Sequence, residues 1–173
     1  MIFYQQGLGD ADVKKRTDAV IKMANVTKES ADDVSSYMTA IWNNFDDGSK
    51  SLERYADVMT ALGASTASST KEIAAGLEKF ASIGKTIGLS YEYATSAVAT
   101  IVDKTRQSAD TVGTGLRTIF SRLQGLSLGE TLEDGVDLNK YSTALKTVGV
   151  NILDASGNMR DMDAILESLA GKW

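Results

Sequence analysis

Apolar residues return every three or four positions along almost the whole chain. That spacing is the period of one face of an α-helix. Val13, Thr17, Val20 and Ala24 form the first stripe, and Val34, Met38, Ile41 and Phe45 the second. Leu52, Tyr55, Met59 and Leu62 follow, then Ile73, Leu77, Phe80 and Ile83. Ala94, Val98 and Ile101 make the fifth, and Val112, Leu116, Ile119 and Leu123 the sixth. Leu138, Tyr141, Leu145 and Val148 precede a last stripe of Met162, Ile165 and Leu169. One-sided stripes of this length must be covered by other helices. The chain therefore reads as all-α, one compact domain of about eight helices, each mostly of about 10–18 residues.

Punctuation supports the segmentation. Thr27, Ser49, Thr70, Ser90, Ser108 and Asp137 stand where a side chain can accept the orphan N–H bonds of a helix start. Gly63, Gly88 and Gly149 stand where a helix end calls for positive φ. The connections are short, which predicts antiparallel hairpins between sequence neighbours. Two stretches break the pattern. Residues 150–160, VNILDASGNMR, alternate around a glycine-containing turn and read as a short β-hairpin lying against helices. Residues 125–136 lack a stripe and read as a mobile loop.

The residues that are missing exclude most enzyme classes. The 173-residue chain has no Cys, His or Pro. That removes the Ser-His and Cys-His dyads, imidazole bases, thiolate nucleophiles, disulfides and the usual zinc ligands. With 18 basic and 23 acidic residues the net charge is −5, which disfavours nucleic acid. Its one basic cluster, Lys14-Lys15-Arg16, lies among Asp10, Asp12 and Asp18 and reads as a solvated helix face. The longest nearly apolar run, Ala97–Val102, is far short of the ~20 residues that cross a bilayer. With no signal-peptide pattern at the N-terminus, the expectation is a soluble piece.

Carboxylates are the remaining route to chemistry. Asp32-Asp33, Asp46-Asp47 and Asp161/Asp163 sit at expected helix ends, where capping and the macrodipole explain them. Glu130, Glu133, Asp134 and Asp137 form the densest acidic cluster. Asp154 to Asn158 fails as a calcium loop, since Gly157 comes fourth and Ile165 occupies the twelfth position. Gly113-Thr114-Gly115 follows no strand and fails as a dinucleotide fingerprint. Two glycines inside a helix need a reason, and close approach of a neighbouring helix near Ala109, Gly113 and Thr114 supplies one. Trp42 and Trp173 read as core or interface anchors. The chain stops at Gly171-Lys172-Trp173 without a cap, as an excised fragment of a longer protein would.

Four ordered segments carry a family likeness: FYQQGLGDADV (3–13), YADVMTALGASTASSTKEIAAGLEKFASIGKTIGLS (55–90), DKTRQSADTVGTGLRTIFSRLQGL (103–126) and LKTVGVNILDASGNMRDMDAILESLAGKW (145–173). The third is the most specific, through Thr105-Arg106, Ser108-Ala109, Gly113-Thr114, Arg117-Thr118 and Arg122-Leu123. The chain resembles the characteristic helical region of the tape measure proteins of phage tails. Gly115 departs from the family pattern, where many members carry a side chain.

The resemblance implies an internal piece of a longer virion protein. Such a protein sits in the lumen of the tail tube, is coated by tail assembly chaperones, sets tube length and leaves ahead of the genome. It further implies contacts with the tail tube protein and baseplate or tail-tip proteins, self-association in the tube, and no cofactor. Two other readings stand beside it: a helical scaffold domain unrelated to tails, and a cell-wall hydrolase using Glu130, Glu133 or Glu92. The residues add a constraint. A continuous helix of this length would span roughly 260 Å, but caps and glycines every ~15–25 residues fold the chain back on itself. This segment is therefore expected to be a folded module rather than the extended rod. Small contact residues and the absence of disulfides also predict modest stability.

Overall fold

The computed structural model describes residues 2–128 and 139–172. Among them are nine helices: α1 (Ile2–Gln5), α2 (Asp10–Thr27), α3 (Ala31–Phe45), α4 (Leu52–Ser65), α5 (Thr70–Thr86), α6 (Tyr91–Thr105), α7 (Ala109–Leu128), α8 (Asn139–Thr147) and α9 (Met162–Ala170). The all-α class is as the stripes require. α1 is the additional helix, a single turn too short to carry a stripe.

Hydroxyls cap the starts of α3, α5, α6 and α7, some of them not the ones the sequence pointed to. Ser30 Oγ accepts from Asp33 N and begins α3, whereas Thr27 closes α2 by donating to the Met23 carbonyl. Ser51 rather than Ser49 precedes α4. Ser69 rather than Thr70 caps α5, in a reciprocal pair with Glu72: the Ser69 hydroxyl receives Glu72 N while the Glu72 carboxylate receives Ser69 N at 2.8 Å. Ser90 and Ser108 cap α6 and α7, accepting from Tyr93 N and Thr111 N. Asp137 lies outside the described residues. Gly63 is inside α4 rather than beyond it, and it is glycine for another reason: a Cβ there would lie 2.7 Å from the Thr70 hydroxyl. Gly88 and Gly149 do adopt positive φ, at 69° and 78°.

α5 is the central element. It packs against α3, α4, α6 and α7, and its contact with α7 is the most extensive between helices among the described residues. Helices two apart in sequence, α5 with α7, α3 with α5 and α2 with α4, make the largest contacts, ahead of the sequential hairpins that short loops suggested. Leu77 and Phe80 of α5, Val98 of α6, Phe120 of α7 and Met38 of α3 are all buried in one continuous core. A second aromatic knot joins α3, α4 and α6. The Tyr91 ring lies 4.9 Å from Tyr55 and 5.6 Å from Phe45, and Tyr91 Oη donates to the Tyr55 carbonyl at 2.6 Å.

Residues 150–160 turn back on themselves in a minimal antiparallel pairing, the Leu153–Met159 bridge flanked by Asp154 N to the Asn158 carbonyl and Arg160 N to the Ile152 carbonyl, shorter than a regular two-stranded ladder. The Asp154 carboxylate takes the N–H groups of Ser156 and Asn158, so the turn consumes donors that a ladder would need. Val150 and Ile152 are buried in the core. The start of α9 docks on the α5–α6 turn through Met162 N to the Ile87 carbonyl and Ser90 N to Asp163 Oδ1. Of the expected loop over 125–136, residues 125–128 continue α7 and the remainder lies outside the described residues.

Candidate functional site

The α6–α7 corner carries the residues that the sequence singled out, and they divide into three groups by position. The first closes and opens helices. Thr105 Oγ1 donates to the Ile101 carbonyl at 2.7 Å and accepts from Gln107 N. Arg106 ends α6 in the left-handed region at φ 57°, where a non-glycine residue is uncommon, and its N–H reaches the Val102 carbonyl. Ser108 then starts α7, its hydroxyl 2.8 Å from that of Thr111.

The second group is buried against α5. Ala109 is buried, and a Cβ on Gly76 of α5 would lie 3.2 Å from the Ala109 carbonyl and 2.6 Å from Val98 Cγ1. A Cβ on Gly113 would land on the Gly76 carbonyl. Gly76 and Gly113 therefore face each other at the crossing, with backbone meeting backbone. Phe80 and Phe120 pack beside it with ring centroids 5.5 Å apart, and Leu123 packs against the core farther along α7. Lys79 of α5 reaches Asp110 of α7 at 2.6 Å across the exposed edge of the contact.

The third group faces solvent. Thr114, Gly115, Arg117 and Arg122 are exposed, and neither arginine has an ion-pair partner among the described residues. Nothing lies within 4 Å of where a Gly115 Cβ would stand.

The corner is tied to the rest of the molecule by the α4–α5 loop. Asp103 Oδ1 accepts from Ala67 N at 2.9 Å, and Ser68 Oγ donates to the Ala99 carbonyl at 3.1 Å. The Ala67 N–H, helped by Lys104, holds the Asp103 carboxyl below its usual range.

Trp42 is remote from this corner. It is buried at 1% exposure beside Phe3, with the Arg16 guanidinium 5.1 Å above its ring. Its Nε1, Arg16 Nη1 and Thr17 Oγ1 are buried with no hydrogen-bond partner in the described structure. Trp173 lies outside the described residues.

The carboxylates are dispersed. Asp33 pairs with Lys71 at 3.2 Å, and Asp46 and Asp47 close the α3–α4 turn onto Gly48 N and Ser49 N. A cleft of about 630 Å³ opens beside them, lined by Phe45, Lys50, Lys85, Asp161, Asp163 and Glu167 among others. No three acidic side chains among the described residues converge closely enough to hold a metal ion. Glu92 is a poor proton donor. Partial burial pushes its carboxyl up, but Lys50 at 2.8 Å and Arg54 at 3.6 Å outweigh that and hold it below the usual range. Glu130 and Glu133 lie outside the described residues. No helix among the described residues is long and apolar enough to cross a membrane.

Sequence reasoning missed Gly76. It stands in the middle of a strong stripe, IAAGLEKF, and a glycine inside a helical pattern is the available signal for close approach. What a single chain does not reveal is that its partner is Gly113, 37 positions away. That buried polar atoms of Arg16, Thr17 and Trp42 lack a hydrogen-bond partner among the described residues had no signal in the sequence.

A family model described as phage-related minor tail protein matches residues 3–173. No curated protein and no solved structure matches the chain.

Proposed function

Since the chain belongs to the phage-related minor tail protein family, and so is a component of phage tails, we propose that it is part of a tape measure. In this reading the protein occupies the lumen of the tail tube, sets the length at which tube polymerisation stops, and leaves with the genome at ejection. Tail assembly chaperones hold it before assembly, and the tail tube protein and the baseplate or tail tip are its partners in the virion. This segment is a folded, non-catalytic module of that longer protein.

What supports the reading is the pairing of Gly113 with Gly76. The segment most specific to the tape measure likeness, residues 103–126, supplies the helix that crosses the core at a glycine contact. Its capping hydroxyls, small residues and apolar stripe each have a packing role there. A segment so constrained acts through its shape.

Tail length tests the proposal. Insertion of helical residues into the parent protein, outside this module, should lengthen the tail by about 1.5 Å per residue, read from electron micrographs of purified particles. Tails of unchanged length would refute the ruler. Deletion of residues 3–173 should shorten the tail by much less than the roughly 260 Å of a continuous helix of this length.

A further inference from the structure

α7 carries two glycines that do different things. Gly113 is explained by the chain itself, through Gly76. Gly115 is not: it faces open space in the middle of a 20-residue helix, where glycine weakens the helix and no neighbour needs the room. On the same side of α7, four and seven residues on, stand Ile119, which is 52% exposed, and Arg122. A glycine, an exposed isoleucine and a cation with no ion-pair partner among the described residues, all in one stripe, form a surface that another backbone can approach closely.

The same chain carries a complementary surface. Between α2 and α4 runs a mostly apolar groove of about 350 Å³, floored by Met23 and Ala56 and edged by Val26, Thr60, Ala61 and Ala64. The Lys22–Glu53 ion pair is also in its lining, so that Asp57 is left as its carboxylate without a partner among the described residues. Val26 is 64% exposed on its rim. Asp57 stands at the end of the α4 stripe, exposed and without an ion-pair partner among the described residues. The registers agree. From Arg122 back to Ile119 and Gly115 the steps are three and seven residues, and from Asp57 forward to Thr60 and Ala64 they are again three and seven. Laid antiparallel, the cation meets the carboxylate, Ile119 enters the groove beside Thr60 and Ala61, and Gly115 passes over Ala64.

We propose that the Gly115–Ile119–Arg122 stripe of α7 docks antiparallel in the α2–α4 groove of a second copy of this chain. Donor and acceptor surfaces are different patches, so the contact is head-to-tail and each copy keeps one of each free for the next. Repetition gives a string or ring of copies. A groove of about 350 Å³ accommodates a short stretch of helix, so each link is weak and association depends on concentration.

Sedimentation equilibrium of the purified 173-residue chain tests this, and its outcome is independent of whether the parent measures tails. The weight-average mass should climb above the 18.5 kDa of one chain between about 20 μM and 1 mM. Arg122→Glu and Asp57→Lys should each weaken association at least about tenfold, since each sets like charges opposite one another. An equimolar mixture of the two variants should associate again, because each then offers a charge that matches the other. Gly115→Leu should keep the helix content and lose the association. A mass that stays at one chain throughout the range overturns the proposal, as does association that survives the charge reversals or a mixture that does not recover.

Discussion

Gly113→Ala and Gly115→Ala place the same methyl group two residues apart on one helix, and they should move stability in opposite directions. Either substitution gains about 1 kcal/mol of helix propensity. At 115 nothing lies within 4 Å of the new carbon, so that gain is kept. At 113 the methyl lands on the Gly76 carbonyl, with the Gly76 Cα and carbonyl carbon at 3.0 Å. Those atoms are backbone and have no rotamer to turn away. α5 and α7 must therefore part by on the order of 1 Å, and a gap of that size forfeits up to about half of each dispersion contact along the crossing. Phe80 against Phe120, 5.5 Å apart, is among the contacts that loosen. Overpacking of this kind costs up to about 3 kcal/mol, which leaves Gly113→Ala destabilised by about 2 kcal/mol after the propensity gain. In a domain of this size that is a fall of roughly 4–8 °C in Tm, against a rise of roughly 2–4 °C for Gly115→Ala. Urea denaturation followed by circular dichroism measures both. A Gly113→Ala variant as stable as the parent chain would refute the backbone-to-backbone crossing.

Other outcomes follow from the same packing. Phe80→Ala empties a site that is 1% exposed in the core and should cost about 3–5 kcal/mol, seen as a lower urea midpoint. On acidification, Glu72 is the group to follow: the N–H and hydroxyl of Ser69 hold its carboxyl below the usual range. A depressed carboxyl stabilises the fold above its unfolded pKa near 4 and loses that contribution as pH falls through the folded value, so the urea midpoint should drop below about pH 4. At the alkaline end, burial pushes the Tyr55 hydroxyl up to about 12 and raises Tyr37 and Tyr91 as well. Stability should then hold below about pH 10 and decline as pH rises toward 12, and a flat Tm across that window would contradict the burial of these hydroxyls. The buried polar atoms of Arg16, Thr17 and Trp42 that have no partner among the described residues, with the small residues of the core, predict a Tm below about 80 °C by scanning calorimetry.

The helices were legible because a 3.6-residue stripe survives in any amphipathic segment, and eight of the nine helices among the described residues carry one. Their starts were less so. Thr27, Ser49 and Thr70 each have a competing hydroxyl within three positions, and which one caps depends on where packing lets the helix begin. The pairing around Leu153 and Met159 stops at a single bridge because Asp154 takes the Asn158 N–H for its own carboxylate, which alternation alone does not show. Gly63 was misread as a stop because its reason for being glycine is Thr70, across the loop. The same holds at the site. That Gly113 marks a close approach is written in the sequence; that Gly76 meets it is not, since pairing between helices two apart depends on the third dimension. The exposure of Arg117 and Arg122 likewise emerges only once α7 is seated.

Small-angle X-ray scattering of the dilute chain bears most directly on the central claim, that this tail segment is a folded module and not a stretch of extended ruler. A packed domain of this length gives a radius of gyration of about 16 Å. A continuous helix of the same residues is a rod of roughly 260 Å, whose radius of gyration is about 75 Å. The account predicts the first value, and a measurement near the second would contradict it.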